Sequence, residues 1–314
     1  MTATNSSGDG PQMKTLEDLV CSSSLAGELQ QYSLLLSAVN IFFSLTAFLG
    51  NSLIFVALHK ISSLHAPSKL LYRCLATTDL LVGLVSQPLV ATLWISVVHE
   101  QWRLCRFAWK AASISGYGLC LMSLLTMAAM SVDRHLALLL GLRYKQIVTL
   151  KRTYVIVVTL WIITVVTTLY RTLLSRIARW FGRIIISSCL LISITSYAKI
   201  FRALRRHQAQ IQDHVQHQPS QPNAPNMGQY RKAVYSALWV QLALLACYVP
   251  VSVVAIVMAH RQANLSHLVV ALGIANTVVN LNSTLNPFLY CWKISEVRQA
   301  VKQTIRQALY CPWT

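Results

Sequence analysis

From Tyr32 onward the chain is a series of apolar runs, each long enough to cross a hydrocarbon core, separated by shorter basic or polar connections. A crossing helix needs roughly 20 such residues. In lipid every backbone amide must be bonded within its own segment, so each run is committed to helix. Seven runs qualify: Tyr32–His59, Leu70–Val98, Ala111–Val132, Tyr154–Tyr170, Phe181–Tyr197, Ala233–Ala259 and Leu265–Trp292. Composition agrees, with 55% hydrophobic and 11% charged residues, against ~25% charged in soluble domains. A net charge of +18 raises the question of nucleic acid. The basic residues stand singly between apolar runs rather than in a tract, so they read as membrane flanks and predict no nucleic-acid partner. The fold class is therefore an all-α membrane protein, a seven-transmembrane helix bundle with a cytoplasmic amphipathic eighth helix.

Seven crossings put the termini on opposite sides. With the amino terminus outside, most of the 27 Lys and Arg fall in the cytoplasm, including Arg134, Arg143, Lys145, Lys151 and Arg152 after the third run and Lys199, Arg202, Arg205 and Arg206 after the fifth. Residues 1–31 then form an extracellular N-terminal segment, which lacks the basic-then-apolar pattern of a signal peptide. Residues 32–292 form the transmembrane domain. Within it, 207–229 is a Gln-, His- and Pro-rich cytoplasmic linker with no apolar period. Residues 293–314 give the amphipathic helix and a short tail, with Ile294, Val297, Val301 and Ile305 at helical spacing among Lys, Arg and Gln, suited to the membrane surface. The sequons at Asn5 and Asn264 fall outside as glycosylation sites, whereas that at Asn282 falls within the seventh run. Cys311 is a candidate for lipidation.

Polar residues inside the runs are costly and therefore informative. Asp79 is the only acid well inside any run, and Ser123, Asn282, Ser283 and Asn286 lie at matching depth on the third and seventh. These five oxygen-bearing side chains either bond helix to helix or converge on a small hard cation such as sodium, with one carboxylate to neutralise it. No metal site beyond sodium is predicted, since the linker histidines lack cysteine or acid at ligand spacing. The third run closes in Ser131-Val132-Asp133-Arg134-His135. An arginine alone would stop insertion; the acid beside it predicts a charge held by a neighbour until something competes for it.

These residues carry a resemblance. Gly50-Asn51, Leu75-Ala76-Thr77-Thr78-Asp79, Asp133-Arg134-His135, Trp161, Tyr197, Cys247-Tyr248-Val249-Pro250 and Asn286-Pro287-Phe288-Leu289-Tyr290 occur in order along the seven runs. Together they resemble the rhodopsin-like (class A) G-protein-coupled receptors. The resemblance implies a plasma-membrane receptor, not an enzyme, whose partners are an extracellular ligand and a heterotrimeric G protein. Arg134, restrained by Asp133, would meet Tyr197 and Tyr290 when the sixth helix swings outward, with Asn286 and Pro287 part of the same switch. Tyr248 and Pro250 would form the toggle and kink of the sixth helix. Asp79, Ser123, Asn282, Ser283 and Asn286 would hold an allosteric sodium ion and favour the inactive state; no other cofactor is implied. Tyr230 stands where the sixth helix often begins with an acid that locks the arginine, which predicts ligand-free signalling.

A short second outer loop, and Cys189 in place of the usual proline, bring the chain nearest in outline to the melanocortin, lysophospholipid, cannabinoid and adenosine branch. That branch's ligand residues do not follow, and Gly116 replaces the aminergic aspartate. Trp94, Phe107, Lys110, Tyr117, Arg183 and Tyr248 are the candidate pocket. They suit an apolar or acidic small molecule, lipid or peptide, or else are interfacial anchors. The family staples the top of the third helix to the second outer loop, but Trp109 holds that position and Arg171 to Trp180 lacks cysteine. Cys105 either bridges to Cys21 or remains a thiol. As a rival class, a transporter or channel would show repeated halves and more intramembrane charge. A retinal pump would need a lysine between Arg261 and Lys293, and a membrane enzyme a nucleophile–base pair; none is evident.

Overall fold

The computed structural model describes residues 16–23, 26–62, 64–173, 184–196, 198–202, 243–258, 265–293 and 295–310. A short helix α1 (Leu16–Val20) precedes α2 (Ala26–Lys60). The second crossing is α3 (Ala66–Leu81), a π-helical turn over Val82–Ser86, and α4 (Gln87–Val98). Then come α5 (Trp102–Leu140), α6 (Tyr144–Ile147), α7 (Leu150–Leu173), α8 (Ile184–Arg202), α9 (Ala243–Met258), α10 (Leu265–Lys293) and α11 (Ser295–Tyr310). Six crossings among the described residues have the length and apolarity to span a membrane, and α9 is a shorter apolar helix. The chain is a multi-pass, all-α seven-helix bundle. Its sixth crossing is described only from Ala243, while the linker 207–229 lies outside the described residues.

The third crossing is longer than its uncharged core. At ~1.5 Å per residue, α5 runs about 58 Å, well past a ~30 Å hydrocarbon layer. The helix continues through Arg103, Arg106 and Lys110 because these project to the exposed side, while Cys105, Ala108 and Ala112 keep one stripe against the bundle.

The second crossing departs from a uniform helix for a local reason. Pro88 has no amide hydrogen to donate and its ring crowds the preceding turn. The chain widens just before it, and the Gln87 amide donates five residues back to Val82 O.

Among the described residues, apolar clusters lie toward each end of the bundle and between α3, α5 and α7. Toward the Arg134 end, Leu75, Leu124, Met127, Cys189, Leu244, Cys247, Tyr248 and Tyr290 join α3, α5, α8, α9 and α10. The side cluster packs Leu71, Cys74, Met122, Val157 and Trp161. Toward the other end, Val20 of α1 and Cys21 just after it pack with Leu36, Leu93, Trp94, Val97, Ala108 and Val269. Residues 16–21, read from sequence as part of a segment outside the bundle, therefore cover that end.

There α10 approaches α4 closely. A Cβ built on Gly273 would lie 2.6 Å from Trp94 Cζ2 and 2.9 Å from Leu36 Cδ1. Gly273→Ala should lower stability by about 1–3 kcal/mol through overpacking. A thermal unfolding midpoint in nanodiscs equal to wild type would show that the helices can part there.

On the Arg134 end, α11 buries Val297, Ala300 and Val301, and Lys60 Nζ donates to Gln307 Oε1 at 2.6 Å. Arg298, Lys302 and Arg306 stay exposed, so the helix is amphipathic.

Candidate functional site

Asp79 sits three residues, less than one turn, before the π-helical turn and is fully buried. Its Oδ1 accepts from Ser283 Oγ at 2.8 Å and Ser123 Oγ at 3.2 Å, and its Oδ2 accepts from the Asn286 amide at 2.6 Å. Three helices thus converge on one carboxylate, as hydrogen bonding requires of a buried charge. Among the described residues it has no ion-pair partner. Asn51 braces the cluster by donating to Ser283 O at 3.0 Å. Asn286 Oδ1 and Asn51 Oδ1 are buried without a hydrogen-bond donor among the described residues. Carboxylate, hydroxyl and amide oxygens, two of the latter unsatisfied, are the donor set a small hard cation takes.

Asn282 differs from the sequence reading. It is buried, but its amide faces Met127 Sδ at 3.8 Å rather than Asp79. One residue is about 100° around a helix, so neighbouring Asn282 and Ser283 point to different partners.

Pro287 lies inside α10, one residue beyond Asn286. A Cβ on Gly50 would lie 2.9 Å from Pro287 Cγ, so the missing side chain lets the ring close on α2.

The second cluster closes one end of the bundle. Arg134 Nη2 pairs with Asp133 Oδ2 at 3.3 Å, and Asp133 is buried. That acid also accepts from Tyr144 Oη at 2.6 Å and Ser68 Oγ at 3.0 Å. Burial, reinforced by the hydrogen bond to Asp133, pushes the Tyr144 phenol up to about 12, so it remains a donor at any physiological pH. His65 packs its ring against Tyr144 with centroids 5.1 Å apart. Arg134 also lies over the Tyr72 ring, Cζ 6.0 Å from the centroid, and Tyr72 meets Tyr290 edge-on at 5.2 Å. Tyr72 therefore stands between two residues of the expected switch.

Ser68 and Tyr72 had no place in the sequence reading. Their spacing of four, on the helix that also carries Asp79, was the available signal. Tyr197, the remaining member of the expected switch, lies outside the described residues.

Tyr248 on α9 is buried, and its hydroxyl donates to Cys120 O on α5 at 3.2 Å. Pro250 follows two residues later in the same helix.

The expected ligand pocket is only partly assembled. Trp94 is 3% exposed and packs into the core against Leu36 and Gly273. Phe107 is 65% exposed, because the inward stripe of Cys105, Ala108 and Ala112 turns it to the opposite side of α5. Lys110 reaches Glu17 at 3.4 Å from a largely exposed position. Tyr117 stacks beneath the Arg171 guanidinium, 4.3 Å from ring centroid to Cζ. Cys21 and Cys105 are joined by a disulfide, Cα–Cα 5.7 Å. Arg183, Asn5, Asn264 and Cys311 lie outside the described residues.

Fold and site together define a multi-pass membrane protein with a carboxylate cluster at mid-depth and an ion-paired arginine at one end. Residues 50–190 match the family described as 7 transmembrane receptor (rhodopsin family). The chain is also 28% identical over 138 residues to the 5-hydroxytryptamine receptor 1B of Felis catus, covering 43% of this chain and 34% of that protein. The match thus spans about a third of the length of this curated relative. Over those residues the chain is similar to rhodopsin-family receptors.

Proposed function

We propose that this chain is a plasma-membrane G-protein-coupled receptor with its amino terminus outside, passing the binding of an extracellular ligand to a heterotrimeric G protein. The observation that carries the reading is the Asp133–Arg134 pair, fixed by Ser68 and Tyr144 at the end of α5. An arginine held by a buried acid has two alternative arrangements. A ligand that prefers one shifts the balance by its differential affinity for the two. Outward movement of α9 about Pro250 would release Arg134 toward Tyr197 and Tyr290 and open a cleft at the cytoplasmic end.

Asp79, Ser123, Ser283 and Asn286 fit a sodium ion between α3, α5 and α10. Bound there, the cation would supply the positive charge that the buried carboxylate lacks and favour the closed arrangement.

The test is agonist-free nucleotide exchange on a panel of purified G proteins. Wild type should drive exchange, Arg134→Ala should be flat, and sodium should suppress the wild-type rate but not that of Asp79→Asn. If no G protein responds to wild type under any condition, the receptor reading loses its mechanism.

A further inference from the structure

Asp133 and Arg134 are chain neighbours on α5, so their 3.3 Å pair does not by itself tie the arginine to another helix. Tyr72 of α3 does. It is buried, and the Arg134 guanidinium lies over its ring, Cζ 6.0 Å from the centroid. A guanidinium in that place is attracted by the negative face of the ring, more strongly where water is excluded. Tyr72 also meets the ring of Tyr290 on α10, with centroids 5.2 Å apart and planes at 84°, the edge-on geometry that the same quadrupole favours. One buried side chain thus touches the arginine of α5 and a tyrosine of α10 at once. One turn earlier on α3, Ser68 Oγ donates to Asp133 Oδ2 at 3.0 Å, which keeps α3 and α5 in register at this depth. Tyr290 comes three residues after Pro287, the proline inside α10. A bend there would carry Tyr290 away from Tyr72.

Resting on the receptor reading above, we propose that Tyr72 is a positioning residue of the switch, an uncharged latch whose ring holds Arg134 in the closed arrangement and keeps it from Tyr290. The open arrangement joins Arg134 to Tyr290; in the closed one Tyr72 touches both, so its ring competes with Tyr290 for the arginine. Two holds of different physics then act on one side chain. Asp133 supplies charge to a guanidinium that is 36% exposed, where solvent screens it. Tyr72 supplies a buried aromatic face, which salt screens less. The latch depends on the charge distribution of the ring rather than its volume, and that separates it from ordinary packing. Leucine fills the site without a quadrupole, phenylalanine keeps the quadrupole, and full fluorination reverses it at nearly constant shape.

The test uses the full chain in lipid nanodiscs. Tyr72→Leu should raise agonist-free nucleotide exchange per folded receptor about threefold, the effect of losing one cation–π contact from one side of a two-state balance. Tyr72→Phe should rescue most of that restraint. Pentafluorophenylalanine placed at position 72 should match leucine although its shape matches phenylalanine, so the result stands even if Tyr72→Leu unfolds. A merely structural role would lower exchange through loss of folded protein, not raise it. Exchange from Tyr72→Leu at or below wild type, phenylalanine as active as leucine, or the fluorinated ring behaving like phenylalanine would each overturn the latch. A second arm needs no G protein. A singly fluorinated phenylalanine at position 72 should show a fluorine NMR resonance that moves when Arg134 is replaced in Arg134→Ala. A resonance that stays in place overturns the contact. If wild type drives no exchange at all, the receptor reading fails and the fluorine arm alone decides whether Tyr72 holds the arginine.

Discussion

Asp133→Asn should raise agonist-free nucleotide exchange about tenfold over wild type. A charge-assisted contact such as that between Arg134 and Asp133 is worth ~1.5–3 kcal/mol. The arginine side chain is 36% exposed, so screening by solvent brings the figure toward the lower bound. A loss of ~1.4 kcal/mol from one arrangement of a two-state switch is a tenfold shift in its balance. Asparagine keeps an oxygen for Tyr144 and turns its amide N–H, in place of Oδ2, to the Ser68 oxygen, so the local packing survives and the effect reports the lost charge. The check is exchange per receptor, corrected for expression, with Arg134→Ala as the zero. Unchanged or lower exchange from Asp133→Asn would mean that the pair does not hold the closed arrangement. Tyr144→Phe adds a second handle. Because the Tyr144 phenol stays protonated across the assay range, its contribution should be the same at pH 6 and pH 8.

Cys21→Ser, Cys105→Ser and the double variant should all lower the thermal unfolding midpoint by the same amount, corresponding to about 2–4 kcal/mol. The bond closes a loop of 84 residues, for which chain entropy alone gives ~4.5 kcal/mol against a freely unfolded chain. Inserted helices keep the two ends of that loop closer together than a free chain would, which lowers the figure. Equality of the three variants is the diagnostic, since each removes the same single bond. Losses that add in the double variant would mean that the two thiols contribute by packing separately. Lys110→Ala should have little effect by comparison, because its pairing with Glu17 is made at an exposed position.

The bundle was legible in the sequence because hydrocarbon length is a blunt constraint: a run either spans or it does not. Asp79 was legible for the same reason, as an acid inside a run must find partners, and Ser123, Ser283 and Asn286 supply them. What could not be read was the rotational phase of each helix. Phe107 and Cys105 differ by two positions and face opposite sides, and Asn282 and Ser283 differ by one and meet different partners. Aromatic content at the right depth suggested a cavity wall, yet Trp94 fills the gap left by Gly273 and is core. Tyr72 and Ser68 carried no signal beyond their spacing of four, because neither is costly in a helix. They matter only through Arg134 and Asp133, which the fold brings to them.

The π-helical turn at Val82–Ser86 does more than accommodate Pro88. One surplus residue rotates everything beyond it by about 100° relative to a uniform helix. The half of the second crossing that carries Asp79 and Tyr72 and the half that carries Gln87 and Trp94 are therefore aimed independently, with the wide turn acting as a rotary joint between them. A one-residue deletion there would leave Asp79 in place while rotating Gln87 and Trp94 about 100° out of their present contacts. The turn lets the two halves be re-aimed separately, so that a single insertion or deletion changes which side chains the outer half presents without disturbing the contacts of Asp79 and Tyr72.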